Sequence, residues 1–260
     1  MDNDILFVTA FKDIGREQWS SIQRTNNEYF YKFFLITQTI QHNLVVFIED
    51  NIKKQLLEKY IFLDNVLFFD MNNVDTFYKQ FLHSQTKIIN SLDYKSKIPI
   101  DRKGAPEHNY AEYNLINHSK INFIREAKFL FPNYSFYSWI DFGFGKSIDH
   151  LPTKISNINS LPRKIIYHNE FDIPETKITP NDMLKEHRIF FIGSSLIIPN
   201  ELIENFENLW KSKIIELENI NVVDDDQNIV YQLYFDNKDM FELIRGKHWF
   251  AFYEILSLYW

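Results

Sequence analysis

The chain has 260 residues, enough for one large domain with a substantial buried core, and its 45% hydrophobic and 17% aromatic content with charges of both signs excludes a disordered protein. Its formal net charge of -7 argues against a surface built to neutralise phosphate backbones, so no nucleic acid partner is expected. The absence of cysteine removes disulfides and thiolate metal sites and fits a reducing compartment; MDNDILFVTAF has no basic region before its apolar stretch and no apolar run reaches spanning length, so the sequence reads as soluble, with no transmembrane segment.

Three short apolar runs open the chain: ILFVTAF (Ile5 to Phe11), LVVFIED (Leu44 to Asp50) and NVLFFD (Asn65 to Asp70). Each is β-branched or aromatic and ends in polar residues, the pattern of a strand buried on both faces. Between them EYFYKFFLITQTI and NIKKQLLEKY have the length of crossover helices, which gives the β-α-β-α rhythm of a parallel sheet. Residues 91–108 turn polar, with prolines and Gly104, and read as a loop or excursion. One long helix is expected over NYAEYNLINHSKINFIREAKFL, with Ile116, Lys120, Phe123, Ala127 and Leu130 on one face. FYSWIDFGFG (Phe136 to Gly145) is a strand that stops at Asp141 and breaks into two glycines. RKIIYH and FFIGSSLIIP (Phe190 to Pro199) follow, the latter with a glycine-serine break, then a helix from about Asn200 to Ile220, the acidic DDDQ and an aromatic tail. There is no internal repeat and no low-complexity linker. The expected fold class is α/β, Rossmann-like, with a mixed, mostly parallel central sheet and helices on both faces.

Ligands of such sheets sit at the strands' carboxyl ends, which draws attention to the loops after Phe11, Asp50, Asp70 and Ile140. In TAFKDIGR a glycine-containing turn carries Lys12, Asp13 and Arg16; it can hold a nucleotide with Arg16 forking onto phosphate, or Asp13 can cap a helix while Arg16 is a surface charge. G-x-x-x-x-G-K-[ST] is missing, so this is no P-loop. Asp141 can ligate a divalent cation bridging two phosphates while the glycines let a ligand approach the backbone, or it can satisfy the N–H groups of a glycine turn. Its DFG has no kinase context, since neither GxGxxG nor an HRD-like loop accompanies it. Lys120, inside an apolar stripe, either reaches water along its stem or is aimed at an anion in a pocket. Asp224 with Gln227 resembles a capping box, yet Asp225 and Asp226 exceed what capping needs; clustered carboxylates repel, which lets one of them act as a general base toward a hydroxyl. His248 is a packed or exposed histidine, or a ligand if the fold brings it to the site.

These blocks carry a resemblance. TAFKDIGR with the following tryptophan and RTNNEYF, then LVVFIED, EYNLINHSKINFI, WIDFGFG, FFIGSSLIIP, and DDDQNIVYQLYF with HWF near the end, resemble the HtrL/YibB family, also called WlaTC, in its order and over nearly the whole chain. Members of that family occur among bacterial surface-polysaccharide loci and are similar to glycosyltransferases of the GT-A fold. The resemblance implies one domain, with a nucleotide-binding half over about 1–145 and an acceptor-binding half over about 146–260. It implies a nucleotide-sugar donor, a UDP-sugar, on the loop after the first strand, at Thr9, Ala10, Phe11, Asp13 and Arg16. Lys120 would approach donor phosphate or sugar, and Asp141 and Gly143 would stand at the diphosphate. Asp225 and Asp226 would act as catalytic carboxylates under the acceptor or the anomeric carbon. A divalent cation, Mn2+ or Mg2+, would be held by Asp141 and His248; the second carboxylate of the D-x-D pattern of GT-A enzymes is replaced by Gly143, a departure that bears on metal dependence. The acceptor would be a carbohydrate or glycolipid of capsule or lipooligosaccharide, and the enzyme cytoplasmic, at the inner face of the membrane. The rival readings are a transferase of another nucleotide-activated group, and a non-catalytic carbohydrate-binding or assembly protein using HWFAFYEILSLYW as its docking face. On the transferase reading, asparagine at 141 or 226 abolishes turnover and leaves the melting temperature nearly unchanged.

Overall fold

A computed structural model describes residues 4–19, 23–152, 154, 155, 157–186 and 189–259; Trp260, the end of the aromatic tail, lies outside them. Seven strands, β1 (Ile5–Phe11), β2 (Leu44–Ile48), β3 (Val66–Asp70), β4 (Phe136–Ile140), β5 (Ile165–Asn169), β6 (Ile192–Pro199) and β7 (Phe241–Arg245), form one sheet in the order β3-β2-β1-β4-β6-β5-β7. β1 pairs in parallel with β2 and β4, β2 with β3, and β5 with β7; β6 runs antiparallel to both of its neighbours. The expected mixed, mostly parallel α/β architecture is therefore present.

Helices cover both faces. On one side Leu6, Val8, Val45, Phe47, Tyr137 and Trp139 pack with side chains from α6 (Lys120–Leu130), α8 (Ile203–Asn219) and α9 (Asp226–Asp236). On the other, Ile5, Phe7, Val46, Ile48 and Ile140 meet Phe30, Phe33 and Ile36 of α1 (Asn26–Thr39), Ile52 and Leu56 of α2 (Asp50–Leu57), and Phe252 and Leu256 of α10 (Phe252–Tyr259). Double coverage is why β1, β2 and β4 read as unbroken apolar runs instead of alternating ones. It also answers the aromatic tail: Phe252 and Tyr253 are core residues, not a docking face.

Several expected elements differ. The polar excursion carries α4 (Leu92–Lys97), started by Ser91 Oγ accepting from the Tyr94 N–H, and it is preceded by α3 (Phe77–Ile89). The expected long helix is two, α5 (Ala111–His118) and α6, hinged at Ser119, whose hydroxyl donates to Leu115 O at 2.7 Å and accepts from the Tyr78 N–H. A side chain competing for the backbone at that point interrupts the ladder, so Ile116 and Lys120 lie on different helices. Gly193 and Ser194 do not break β6, which is continuous. After α7 (Pro180–Glu186) and β6, Asp225 rather than Asp224 caps α9, accepting from the Gln227 N–H at 3.1 Å.

Candidate functional site

β2 and β3 lie on one side of β1 and β4 on the other, so the chain reverses its strand order there. Loops leaving the carboxyl ends of β1 and β4 diverge and leave a crevice, the position where α/β sheets bind ligands. A cleft of about 200 Å³ occupies it, with Ala10, Phe11 and Lys12 from the end of β1 and Trp139, Asp141, Phe142 and Gly143 from the end of β4. Arg16, Trp19, Arg24, Tyr29 and Tyr113 complete its walls.

Cations and aromatic faces dominate this cleft. The Arg16 guanidinium lies 5.1 Å from the ring centre of Tyr29, 5.6 Å from Tyr113 and 5.8 Å from Trp19, and it donates to the Tyr29 hydroxyl. Among the described residues its buried Nε–H has no hydrogen-bond partner and no carboxylate pairs with it. A buried cationic donor left unpaired is unfavourable unless an anion completes it. Trp19 is itself fixed by stacking on Tyr110 at 4.3 Å. Lys12, by contrast, is tied to Glu49 at 2.5 Å. Asp13 accepts from the Gly15 N–H and from Asn26, both at 2.9 Å; it shapes the turn and does not line the cleft. Thr9 is buried in β1, also off the cleft.

Gly143 lines the cleft, but its missing side chain makes room for protein, not ligand: a Cβ there would meet Tyr29 Cδ1 at 2.8 Å. Among the described residues Asp141 is the one carboxylate that lines the cleft. Its Oδ1 accepts from the Trp139 indole at 2.7 Å, and its backbone N–H donates to Ser194 O at 2.9 Å.

Behind Asp141 stands Lys120, only 2% exposed. Its Nζ donates to Asp226 Oδ2 at 2.5 Å and to the Gly193 carbonyl, and lies 3.7 Å from Asp141 Oδ1. The lysine does not run out to water; it clamps two carboxylates, one of which, Asp141, lines the cleft. Burial lowers its pKa, and the Asp141 and Asp226 charges outweigh that and hold it above its usual value. Gly193 permits the clamp, because a Cβ there would fall 2.2 Å from Asp226 Oδ2. Asp226 is thus a buried ion-pair partner, and the expectation that asparagine at 226 spares stability does not fit this geometry.

Asp224, Asp225 and Asp226 do not line the cleft. Asp224 and Asp225 border a second cavity of about 20 Å³ with Glu107. Burial, then the charges of Asp224 and Asp226, push the Asp225 carboxyl well above the ordinary carboxylate range. Asp225 is close enough to Tyr113, a cleft wall, that its charge helps burial to raise the phenol's pKa.

A divalent cation needs several anionic oxygens and no competing cation. Asp141 offers one carboxylate, already capped by an indole N–H and flanked by an ammonium. His248, the other expected ligand, bonds instead with Glu254 at 3.2 Å, accepts from the Phe250 N–H and lies 5.1 Å from the His150 ring. Among the described residues it makes no contact with Asp141, and no group of three His, Cys, Asp or Glu side chains is arranged to hold a metal. These residues do not fit a bound divalent cation. Trp19, Arg24, Tyr29, Tyr113 and Trp139 were missed as cleft residues in the sequence; Trp19, Arg24 and Tyr29 were visible only as neighbours of the TAFKDIGR loop.

Fold and cleft together define an α/β protein with a cationic, aromatic-walled cleft at the switch point of its sheet. The chain belongs to the family described as "Bacterial protein of unknown function (HtrL_YibB)", whose profile matches residues 3–257. It is similar to Protein HtrL of Escherichia coli (strain K12), 24% identical over 273 aligned residues covering 96% of this chain and 91% of that one. Among solved structures it resembles 4-diphosphocytidyl-2C-methyl-D-erythritol synthase from Anaerococcus prevotii (13% identity, TM-score 0.45, 99% of this chain and 96% of that one). It also resembles PaToxG glycosyltransferase (12% identity, TM-score 0.39, 91% of this chain and 70% of that one). Among the described residues no helix is long and apolar enough to cross a membrane.

Proposed function

We propose that this protein is a GT-A-like glycosyltransferase that moves a sugar from a nucleotide donor, a UDP-sugar, to a hydroxyl of a surface carbohydrate or glycolipid. The observation that carries the reading is Arg16: a buried, unpaired guanidinium N–H walled by Trp19, Tyr29 and Tyr113, at the crevice between β1 and β4. Aromatic faces suit a base or sugar ring, and a guanidinium fork suits phosphate oxygens. Residues from about 1–145 contribute this donor cleft, and those from about 146–260 the acceptor side.

In this mechanism the acceptor oxygen forms a bond to the anomeric carbon as the bond from that carbon to the diphosphate oxygen breaks. Arg16, with Lys12 and Arg24 at the rim, takes up the charge that accumulates on the departing diphosphate, the step where fixed positive groups contribute most. Asp225, which borders the neighbouring cavity close to the Tyr113 wall, receives the acceptor's proton in its charged form. Asp141, held by Trp139 and Lys120, orients the sugar at the strand end.

Thermal shift with a panel of nucleoside diphosphates and nucleotide sugars tests this. At about 100 times the dissociation constant a true ligand adds about 2.7 kcal/mol of stability, a shift of several degrees. Stabilisation selective for one base supports the reading and names the donor; the absence of any shift at about 1 mM, against micromolar-to-millimolar KM values typical of enzymes, overturns it.

A further inference from the structure

We propose that Lys120 stands in for the divalent cation, so that this cleft takes up its nucleoside diphosphate group without a metal ion; the inference rests on the nucleotide-sugar reading above. A diphosphate beside Asp141 faces one problem: the carboxylate that lines the cleft repels it. A divalent cation ordinarily resolves this by binding both. Here the carboxylate is compensated in part from behind, by an ammonium 3.7 Å from its Oδ1 that it shares with Asp226 at 2.5 Å.

The ammonium is built in, not passing through. Lys120 is the first residue of α6 and is buried to 2% exposure, with its second carboxylate, Asp226, at 2.5 Å and the Gly193 carbonyl as a third partner. Gly193 is bare where Asp226 must sit, and the Asp141 N–H bonded to Ser194 O ties the end of β4 to the same stretch of β6. α6, α9, β4 and β6 therefore converge on one fixed ammonium held between two carboxylates. A metal ion on Asp141 would have to share Oδ1 with the Trp139 indole N–H and that ammonium, with no second carboxylate among the described cleft residues to hold it. Replacement of the second D-x-D carboxylate by Gly143 belongs to the same arrangement, since Tyr29 fills the space a second metal ligand would need. Phosphate charge is left to Arg16, whose Nε–H is unpaired.

Two titrations test the proposal and separate it from the reading it rests on. In the first, manganese(II) alone is added to the intact protein and free manganese is followed by electron paramagnetic resonance. Binding weaker than about 1 mM supports the proposal, whereas a site tighter than about 100 µM that Asp141→Asn abolishes overturns it. The Lys120→Met variant exposes Asp141 and Asp226 to one another and is expected to gain manganese affinity by about tenfold or more, a gain lost in Lys120→Met/Asp226→Asn; if Lys120→Met does not fold, the wild-type titration decides alone. In the second, nucleoside diphosphates are titrated calorimetrically with EDTA or with manganese. Dissociation constants that agree within about twofold support the proposal, and tightening by about tenfold with manganese overturns it while leaving the nucleotide reading intact. No binding under either condition sinks the nucleotide reading itself, and the manganese-only titration still decides whether Lys120 excludes a cation.

Discussion

Replacing Lys120 by methionine keeps most of the side chain's volume and removes its charge, so the loss reports the ion pair more than a cavity. Asp226 is 4% exposed and would be left with no cation within reach, although its place as the first residue of α9 gives it some help from the helix N-terminus. Asp141 fares better, its side chain being 37% exposed with the Trp139 indole still bound. Removing one partner of a buried pair costs about 3–5 kcal/mol, and at this chain length each kcal/mol moves the melting temperature by about 2 °C, so a fall of about 6–10 °C is expected. Asp226→Asn in the same chain removes the stranded charge, and the double variant should therefore be more stable than Lys120→Met alone. Urea unfolding of the wild type, both single variants and the double variant closes the cycle. A loss below about 1 kcal/mol for Lys120→Met, or a double variant no better than the single, would refute the buried-pair argument.

Arg16→Met should weaken nucleoside diphosphate binding about 10–100-fold by calorimetry, as expected for one or two charge-assisted hydrogen bonds, while the melting temperature moves by less than about 2 °C; a large fall in melting temperature with unchanged affinity would make Arg16 a clamp on Tyr29. Asp225→Asn should abolish turnover and stabilise the protein at once. The folded-state pKa of Asp225 is raised, so its favourable contribution is complete below the unfolded value of about 3.9 and is lost as pH rises through the folded value. Asparagine therefore gains stability near pH 7 and shows no gain below about pH 4, which thermal melts across that range would reveal; equal melting temperatures at pH 7 would count against the raised pKa. Gly193→Ala places a Cβ 2.2 Å from Asp226 Oδ2 and should destabilise by about 3 kcal/mol or more, with much of that loss absent in the Lys120→Met background.

Strands β1, β2 and β4 were legible because burial on both faces leaves no alternation to confuse, and β3, half-buried at the sheet's edge, because polar residues mark its ends. β7 was not, because FELIR mixes charged and apolar residues at the sheet's edge and sits inside a stretch rich in aromatics. The Ser119 hinge was hidden because the apolar stripe of α6 extrapolates smoothly backward; the interruption depends on hydroxyl bonds to Leu115 and Tyr78. Of the candidate residues, Ala10, Phe11, Arg16, Asp141 and Gly143 were placed at strand ends by the parallel-sheet rule, and the fold gathers them in one cleft. Lys120 stood out as a charge in an apolar stripe, but its partner lies 106 residues away, so only the sheet order could reveal the pair. The wall formed by Trp19, Tyr29 and Tyr113 had no local signal, since aromatic residues are too common in this chain for any one to be informative.

Because β6 runs against β4, its beginning and not its end lies beside the carboxyl end of β4: Ser195 lies opposite Ile140, and Ser194 O holds the Asp141 N–H. The donor cleft is thus lined by the first half of the chain, while the second half anchors its Asp141 through the backbone. A ligand bound at Arg16 and Asp141 should slow amide exchange along Ile192–Ser195 as well as in the loop after β1, and protease nicking of the second half should release ligand bound to the first.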